Sequence, residues 1–270
     1  MRNVEPKVFL IGKTEPLVEG VREWLQEVKG SSFFPSIGYE EMGSELIRLC
    51  AKRCYLSYEP GLNPNVTKVR NDLAEFIENI LRVGHGSVLE HVSYNFAIEN
   101  VSRVFTAEMN RHRAGVAISE GSLRYISFDD IPYWLPHSIL EDPTDTIPIA
   151  EAKEATRDLF KDAFAIMERH YKELQDIWRY NIEVKKFSDK KKLTSLFRRI
   201  IGMGVATGGV WSINIRALRH IFTMRCSPHA EEEICYVASL LLEKMIEAEP
   251  ILFRDFSKVD GYWQPIYNKV

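Results

Sequence analysis

The chain has 270 residues, 45% hydrophobic and 27% charged, enough for one good core or two modest ones. Its formal net charge of −3 excludes a global field that would steer it onto nucleic acid or an anionic membrane. A local basic pocket for a small phosphorylated ligand is still compatible with that balance.

Four cysteines, Cys50, Cys54, Cys226 and Cys235, lack zinc-knuckle spacing and read as buried free thiols of a reducing compartment. The opening residues show no basic, apolar and small-residue cleavage pattern. No apolar run approaches membrane-spanning length, so a soluble, cytoplasmic protein with no membrane partner is expected.

In chain order, residues 8–11 read as a short buried strand, and 18–28 as a helix through Val21, Trp24, Leu25 and Val28. Turn signals follow at Gly30, Ser32 and Pro35. Residues 42–54 are predicted helical on the stripe Leu46, Ile47, Cys50 and Ala51, and 60–64 form a loop. Residues 71–83 make an amphipathic helix through Leu73, Phe76, Ile77, Ile80 and Leu81. The period then changes to two. Val92, Tyr94, Phe96 and Ile98 alternate with polar neighbours as a half-buried strand.

Ser102 is a plausible N-cap for a helix reaching about Arg113. A loop over 128–146 carries Pro132, Pro136 and Pro143, and residues 148–180 are the longest helical region. Residues 193–201 look helical. Gly202, Gly204, Gly208 and Gly209 then favour a turn and a short strand over 205–211. Residues 214–224 and 228–246 are predicted helices; the tail after Pro250 has no strong period. With no linker and no repeat, the expectation is one α+β domain spanning 1–270.

Two polar clusters interrupt this pattern. In the first, Arg111-His112-Arg113 follows Glu108, which shares a helical face with His112. The triplet alone reads either as a ligand contact or as two surface arginines flanking a packing histidine. Its sequel, Ser119-Glu120-Gly121-Ser122-Leu123-Arg124-Tyr125, adds hydroxyls, a carboxylate and an arginine fork on a turn-prone segment, which suits a phosphorylated nucleotide. The second cluster is Asn214 to Arg225. There Arg216, Arg219 and His220 fall close together and Arg225 lies half a turn out of phase, as either a ligand face or a solvated basic face. Upstream, His85, Glu90 and His91 invite a metal reading, but their spacing is not the helical His-Glu-x-x-His pattern and Gly84 and Gly86 oppose a helix there. No metal is expected. His229 and Glu233 form an i,i+4 pair that reads as structural.

Over residues 75–250 these segments resemble the flavin-dependent thymidylate synthase family, the class that uses no cysteine nucleophile. Its pattern is Arg-His-Arg, seven residues, serine, one residue and Arg-Tyr. Arg111-His112-Arg113 and Ser122-Leu123-Arg124-Tyr125 match it. Gly84-His85 with Glu90-His91 is similar to its earlier histidine segment, and Asn214-Ile215-Arg216-Ala217-Leu218-Arg219-His220 with Met224-Arg225 to its C-terminal signature.

The resemblance implies a mixed α/β fold assembled as a homotetramer, with FAD bound between subunits. It implies reductive methylation of dUMP to dTMP with methylenetetrahydrofolate as carbon donor and NADPH as reductant. It assigns FAD contacts to His85, Arg111, Arg113, Asn214, Arg216 and His220. It assigns nucleotide contacts to Glu108, Glu120, Ser122, Leu123, Arg124, Arg198 and Arg225, with Arg225, Ser122 and Arg124 nearest the chemistry. Cys226, adjacent to Arg225, is incidental.

Three positions depart from the pattern. Eight residues, not seven, separate Arg113 from Ser122, which requires a bulge or a register shift. Glu108 stands where glutamine is usual, exchanging an amide for an acceptor. Gly202 replaces a proline after Arg198. These positions bear on which nucleotide is taken, so methylation of another pyrimidine nucleotide such as UMP is an alternative. A non-catalytic nucleotide- or RNA-binding protein is another, opposed by the absence of a broad basic surface.

Overall fold

The computed structural model describes residues 2–36, 41–124, 130 and 132–269. Tyr125 and the start of the loop expected at 128 lie outside them. The first half contains β1 (Arg2–Asn3), β2 (Lys7–Lys13), α1 (Val18–Glu27), α2 (Met42–Tyr55), α3 (Leu73–Val83) and β3 (Ser93–Ser102). Next come α4 (Arg103–Met109), β4 (Val116–Glu120), β5 (Pro132–Tyr133), α5 (Ile147–Ile177) and α6 (Phe187–Phe197). The remainder holds β6 (Ala206–Asn214), α7 (Ile215–Arg225), α8 (Glu232–Ala248), α9 (Pro250–Phe253), β7 (Phe256–Val259) and β8 (Tyr262–Pro265).

Four strands form an antiparallel sheet in the order β2-β3-β6-β4, while β1 with β5 and β7 with β8 make separate pairs. The alternation in β3 sets the architecture. Val92, Tyr94, Phe96 and Ile98 are fully buried against Ile47, Ile80, Leu218 and Leu241 of α2, α3, α7 and α8. An antiparallel sheet can leave its other face open. Here β2 is an edge strand whose Phe9 and Ile11 are 49% and 57% exposed, so the strand expected to be buried is only half-buried, through Val8 and Leu10 on one face.

At the end of β3 a register shift between Glu99 and Val101 places Asn100 at φ 62, a conformation asparagine tolerates better than most residues. The bulge delivers Ser102 to its capping position. Its Oγ accepts from the amides of Val104 at 3.0 Å and Phe105 at 3.3 Å, as the sequence predicts. Helix α4 ends at Met109, however, not at Arg113. Gly115, at φ 72, turns the chain so that its carbonyl accepts from Asn214 N at 3.0 Å and β4 joins β6. Sheet pairing thus takes the backbone groups that a longer helix would have used.

Two expectations change with β6. The strand has nine residues and lies inside the sheet, longer than the short strand predicted. Ser119 and Glu120 belong to β4, not to a turn, and Val116–Glu120 pairs with β6 without interruption. The extra residue between Arg113 and Ser122 therefore makes no bulge inside the paired segment.

Helix α5 runs for 31 residues and packs through Met167 and Tyr171 on Tyr180, Phe197 and Val205, a second small core. That core fixes the end of α6 and Arg198, because Gly202 N lies 3.1 Å from Met167 Sδ. Beyond Pro250 the chain forms α9 and a hairpin, which the sequence pattern does not show.

Candidate functional site

Helix α4, the end of β4 and the segment after α6 enclose a cavity of about 660 Å³ lined by Glu120, Ser122, Leu123 and Arg198. Four residues assigned to a nucleotide thus meet, although Arg198 lies 75 or more positions away in sequence. Arg103, Thr106, Asn110 and Arg199 complete the wall. Glu120 is held from two sides. Arg103 Nη1 donates to its Oε1, and Asn110 Nδ2 donates to its Oε2 at 2.9 Å. Trp211 Nε1 donates to Asn110 Oδ1 at 3.3 Å, and Arg103 Nη2 to the Gly121 carbonyl at 2.7 Å. Arg103 and Asn110 are not singled out by the motifs. One signal is legible: a cation in the first turn of a helix opposes the helix dipole and asks for a reason.

The other face of α4 builds a second group. Arg225 donates from Nε to His112 Nε2 at 3.0 Å, and its Nη1 lies 3.0 Å from Glu108 Oε2. Burial, then the charges of Arg225 and His220, push the His112 pKa down to about 4. At neutral pH the ring is therefore uncharged, and its accepting Nε2 leaves the proton on Nδ1. The His112 and His220 rings are 5.9 Å apart. Glu108 and His112 do converge, but through Arg225 rather than along one continuous helix.

Arg111 and Arg113 flank His112 in the turn beside the start of α7. Both are exposed, and among the described residues neither has a carboxylate within ion-pair distance. Arg216, on the first turn of α7, is exposed and paired with Glu90. Asn214 caps the helix, its Oδ1 accepting from Ala217 N at 2.8 Å. Arg219 departs from the expected cluster. It is 2% exposed, with Nη1 and Nη2 donating to the Asp255 carboxylate at 2.9 and 2.7 Å, and so belongs to the core.

The single chain does not unite every predicted residue. Arg124 is exposed and lines a neighbouring cavity with Lys191 and Lys192. Glu108 and Arg225 are absent from the 660 Å³ cavity, because Thr106, Ala107 and Asn110 present a different side of α4 from Glu108. His85 lines a separate cavity of about 500 Å³ with Lys52, Lys68 and Arg70. The glycines of 202–209 mostly make room for neighbouring parts of the chain. A Cβ on Gly208 would meet the Glu99 carboxylate, and one on Gly209 would lie 2.6 Å from the Ser119 carbonyl, so both admit protein neighbours; Gly202 alone of the four borders the 660 Å³ cavity.

Among the cysteines only Cys226 is buried, and Cys54 is exposed, against the expectation of four buried thiols. Burial pushes the Cys226 thiol up to about 12, which disfavours a thiolate nucleophile beside Arg225. The His229 and Glu233 pair does not form. Glu233 is fully buried and accepts from Ser102 N at 2.6 Å, tying α8 to the cap of α4. No helix among the described residues is long and apolar enough to cross a membrane.

Comparisons with known proteins identify the family and a similar fold. The family model described as "Thymidylate synthase complementing protein" matches residues 37–251. A flavin-dependent thymidylate synthase of Mycolicibacterium vanbaalenii is 30% identical over 96% of this chain and 93% of its own. Another, from Mycobacterium avium, is 29% identical over 95% and 92%. The fold is similar to the crystal structure of a UMP/dUMP methylase PolB from Streptomyces cacaoi bound with 5-Br UMP, with TM-score 0.63, 15% identity and coverage of 94% and 95%. With the family pattern matched across most of the chain, this protein belongs to the thymidylate synthase complementing protein family, that of the flavin-dependent thymidylate synthases.

Proposed function

We propose that the protein catalyses the reductive methylation of dUMP to dTMP, using FAD, NADPH and methylenetetrahydrofolate. The observation that carries this reading is the cavity of about 660 Å³ where Glu120, Ser122, Leu123 and Arg198 converge. Its size suits a nucleotide. Arg198 offers a planar fork to the phosphate, Ser122 a hydroxyl and Leu123 its backbone, and the Glu120 carboxylate accepts from a sugar hydroxyl.

The FAD contacts implied by the family fit what this chain presents. Arg111 and Arg113 carry charge uncommitted to any described carboxylate, beside the start of α7, a setting that favours a diphosphate. Arg216, His220, Asn214 and His85 complete the proposed set. Bound FAD supplies the reducing equivalents. The protein's part is to hold the pyrimidine and to stabilise negative charge on the uracil imide, the role proposed for Arg225. Because the Arg225 group lies outside the nucleotide cavity of the same chain, the reading includes a homotetramer in which one copy's Arg225 group completes another's cavity.

Parallel turnover assays with dUMP and UMP, in the presence of methylenetetrahydrofolate and NADPH, test the proposal. Strong preference for dUMP is expected. Preference for UMP would favour the second reading, motivated by Glu108, by the longer 113–122 connection and by the similar fold of a UMP/dUMP methylase. Failure of the purified protein to bind added FAD would defeat both.

A further inference from the structure

Residues 185–199 carry seven lysines and arginines against a single acid, Asp189, in a chain whose net charge is −3. This concentration is ordered in space. A cavity of about 450 Å³ is lined by Arg124, Ser188, Lys191, Lys192 and Ser195. A second, of about 510 Å³, is lined by Lys185, Lys186 and Lys192 beside Glu183 and Asp189. Lys192 borders both. The nucleotide cavity adjoins the first, since Leu123 lines one and Arg124 the other. At the far end of α6, Arg198 and Arg199 face the nucleotide cavity, and among the described residues neither has an ion-pair partner.

The result is a cationic track beginning at the nucleotide cavity and following α6, a helix roughly 16 Å long. Lys190 is excluded from it, lying 5.3 Å over the Tyr180 ring, and Lys192 is only loosely held, 3.8 Å from Asp189. A single phosphate would engage one segment of such a track. A flexible chain with a carboxylate at each repeat would engage all of it, in contacts that salt weakens.

We propose that this track docks the γ-linked oligoglutamate tail of a folate cosubstrate, its carboxylates meeting Lys191, Lys192 and Lys186 in turn. The inference rests on the reading of the nucleotide cavity and of the carbon donor given above. Long nucleic acid is the less suitable occupant, because the track is only about as long as α6, roughly 16 Å.

The test compares methylenetetrahydrofolate monoglutamate and pentaglutamate with dUMP. A KM about tenfold lower for the pentaglutamate is expected, narrowing as salt rises. The K191A/K192A variant should remove that difference and leave monoglutamate kinetics unchanged; alanine suits a helix at least as well as lysine, so folding is preserved. Calorimetry with free penta-γ-glutamate should show binding to wild type and loss in the variant. Equal KM values in wild type, or a preference surviving in K191A/K192A, would overturn the inference. So would tighter binding of a single-stranded RNA oligomer than of the peptide. Absence of any turnover with the monoglutamate would instead overturn the proposed function.

Discussion

Arg225 donates its Nε–H to the neutral ring of His112 at 3.0 Å, a contact between residues 113 positions apart that also brings in Glu108. The pair joins the two polar clusters of the sequence. It fixes the guanidinium plane from two sides before any ligand arrives, which is the condition for stabilising charge as it develops.

Arg225→Ala should therefore lower turnover about 10²- to 10³-fold while flavin retention changes little. Arg216→Ala, at an exposed position paired with Glu90, should do the reverse. Anaerobic flavin reduction and reoxidation, with and without nucleotide, separate the two effects. Equal behaviour of both variants would remove the division of roles.

Arg103 and Asn110 both hold Glu120, so under the proposed function they are positioning residues. Arg103→Ala should raise the nucleotide KM about tenfold or more, with flavin binding unchanged, since it frees one carboxylate oxygen and the Gly121 carbonyl together. Asn110→Ala should have the smaller effect, because Arg103 still holds Glu120. Steady-state kinetics beside a flavin titration decide it; loss of flavin in either variant would point to a general structural role.

Gly115→Ala should destabilise the fold by about 1–3 kcal/mol. The new Cβ would lie 2.4 Å from Asn214 Nδ2, at a φ of 72. Gly61→Ala is the control. Its φ is 91 with nothing within 4 Å, so it pays the backbone cost alone. Denaturant midpoints that match between the two variants would show that the contact with Asn214 is not tight.

Burial raises Glu233 from 4.5 to about 7, against the hydrogen bonds from Ser102. Its folded value lies above the unfolded one, so its contribution is complete below pH 4.5 and lost as pH rises through 7. The shift corresponds to on the order of 3 kcal/mol. His112 runs oppositely: held near 4, it costs stability as pH falls from 6.5 to 4. Glu233→Gln removes one contribution and leaves the other. Wild type should gain stability over the variant on going from pH 8 to pH 5, measured by chemical denaturation; a difference independent of pH would contradict the assignment.

Much of this protein is legible in its sequence wherever local physics decides. The period-two run 92–98, the amphipathic helix ending at Val83, the Ser102 cap and the long helix α5 follow from burial patterns spanning a few residues. The paired arginine motifs suit a phosphorylated ligand, and flavin chemistry follows from their resemblance to a family pattern rather than from local physics. Tertiary contacts decided the rest. Helix α4 stops at Met109 because β6 offers the backbone of 116–120 a better partner. Arg219 leaves the basic face because Asp255, 36 residues later, meets it in the core. Glu120 and Arg198 share one cavity, and Arg225 stands outside it, because the sides of α4 look in different directions. Such meetings depend on chain segments far apart in order, and spacing along a sequence holds no record of that distance in space.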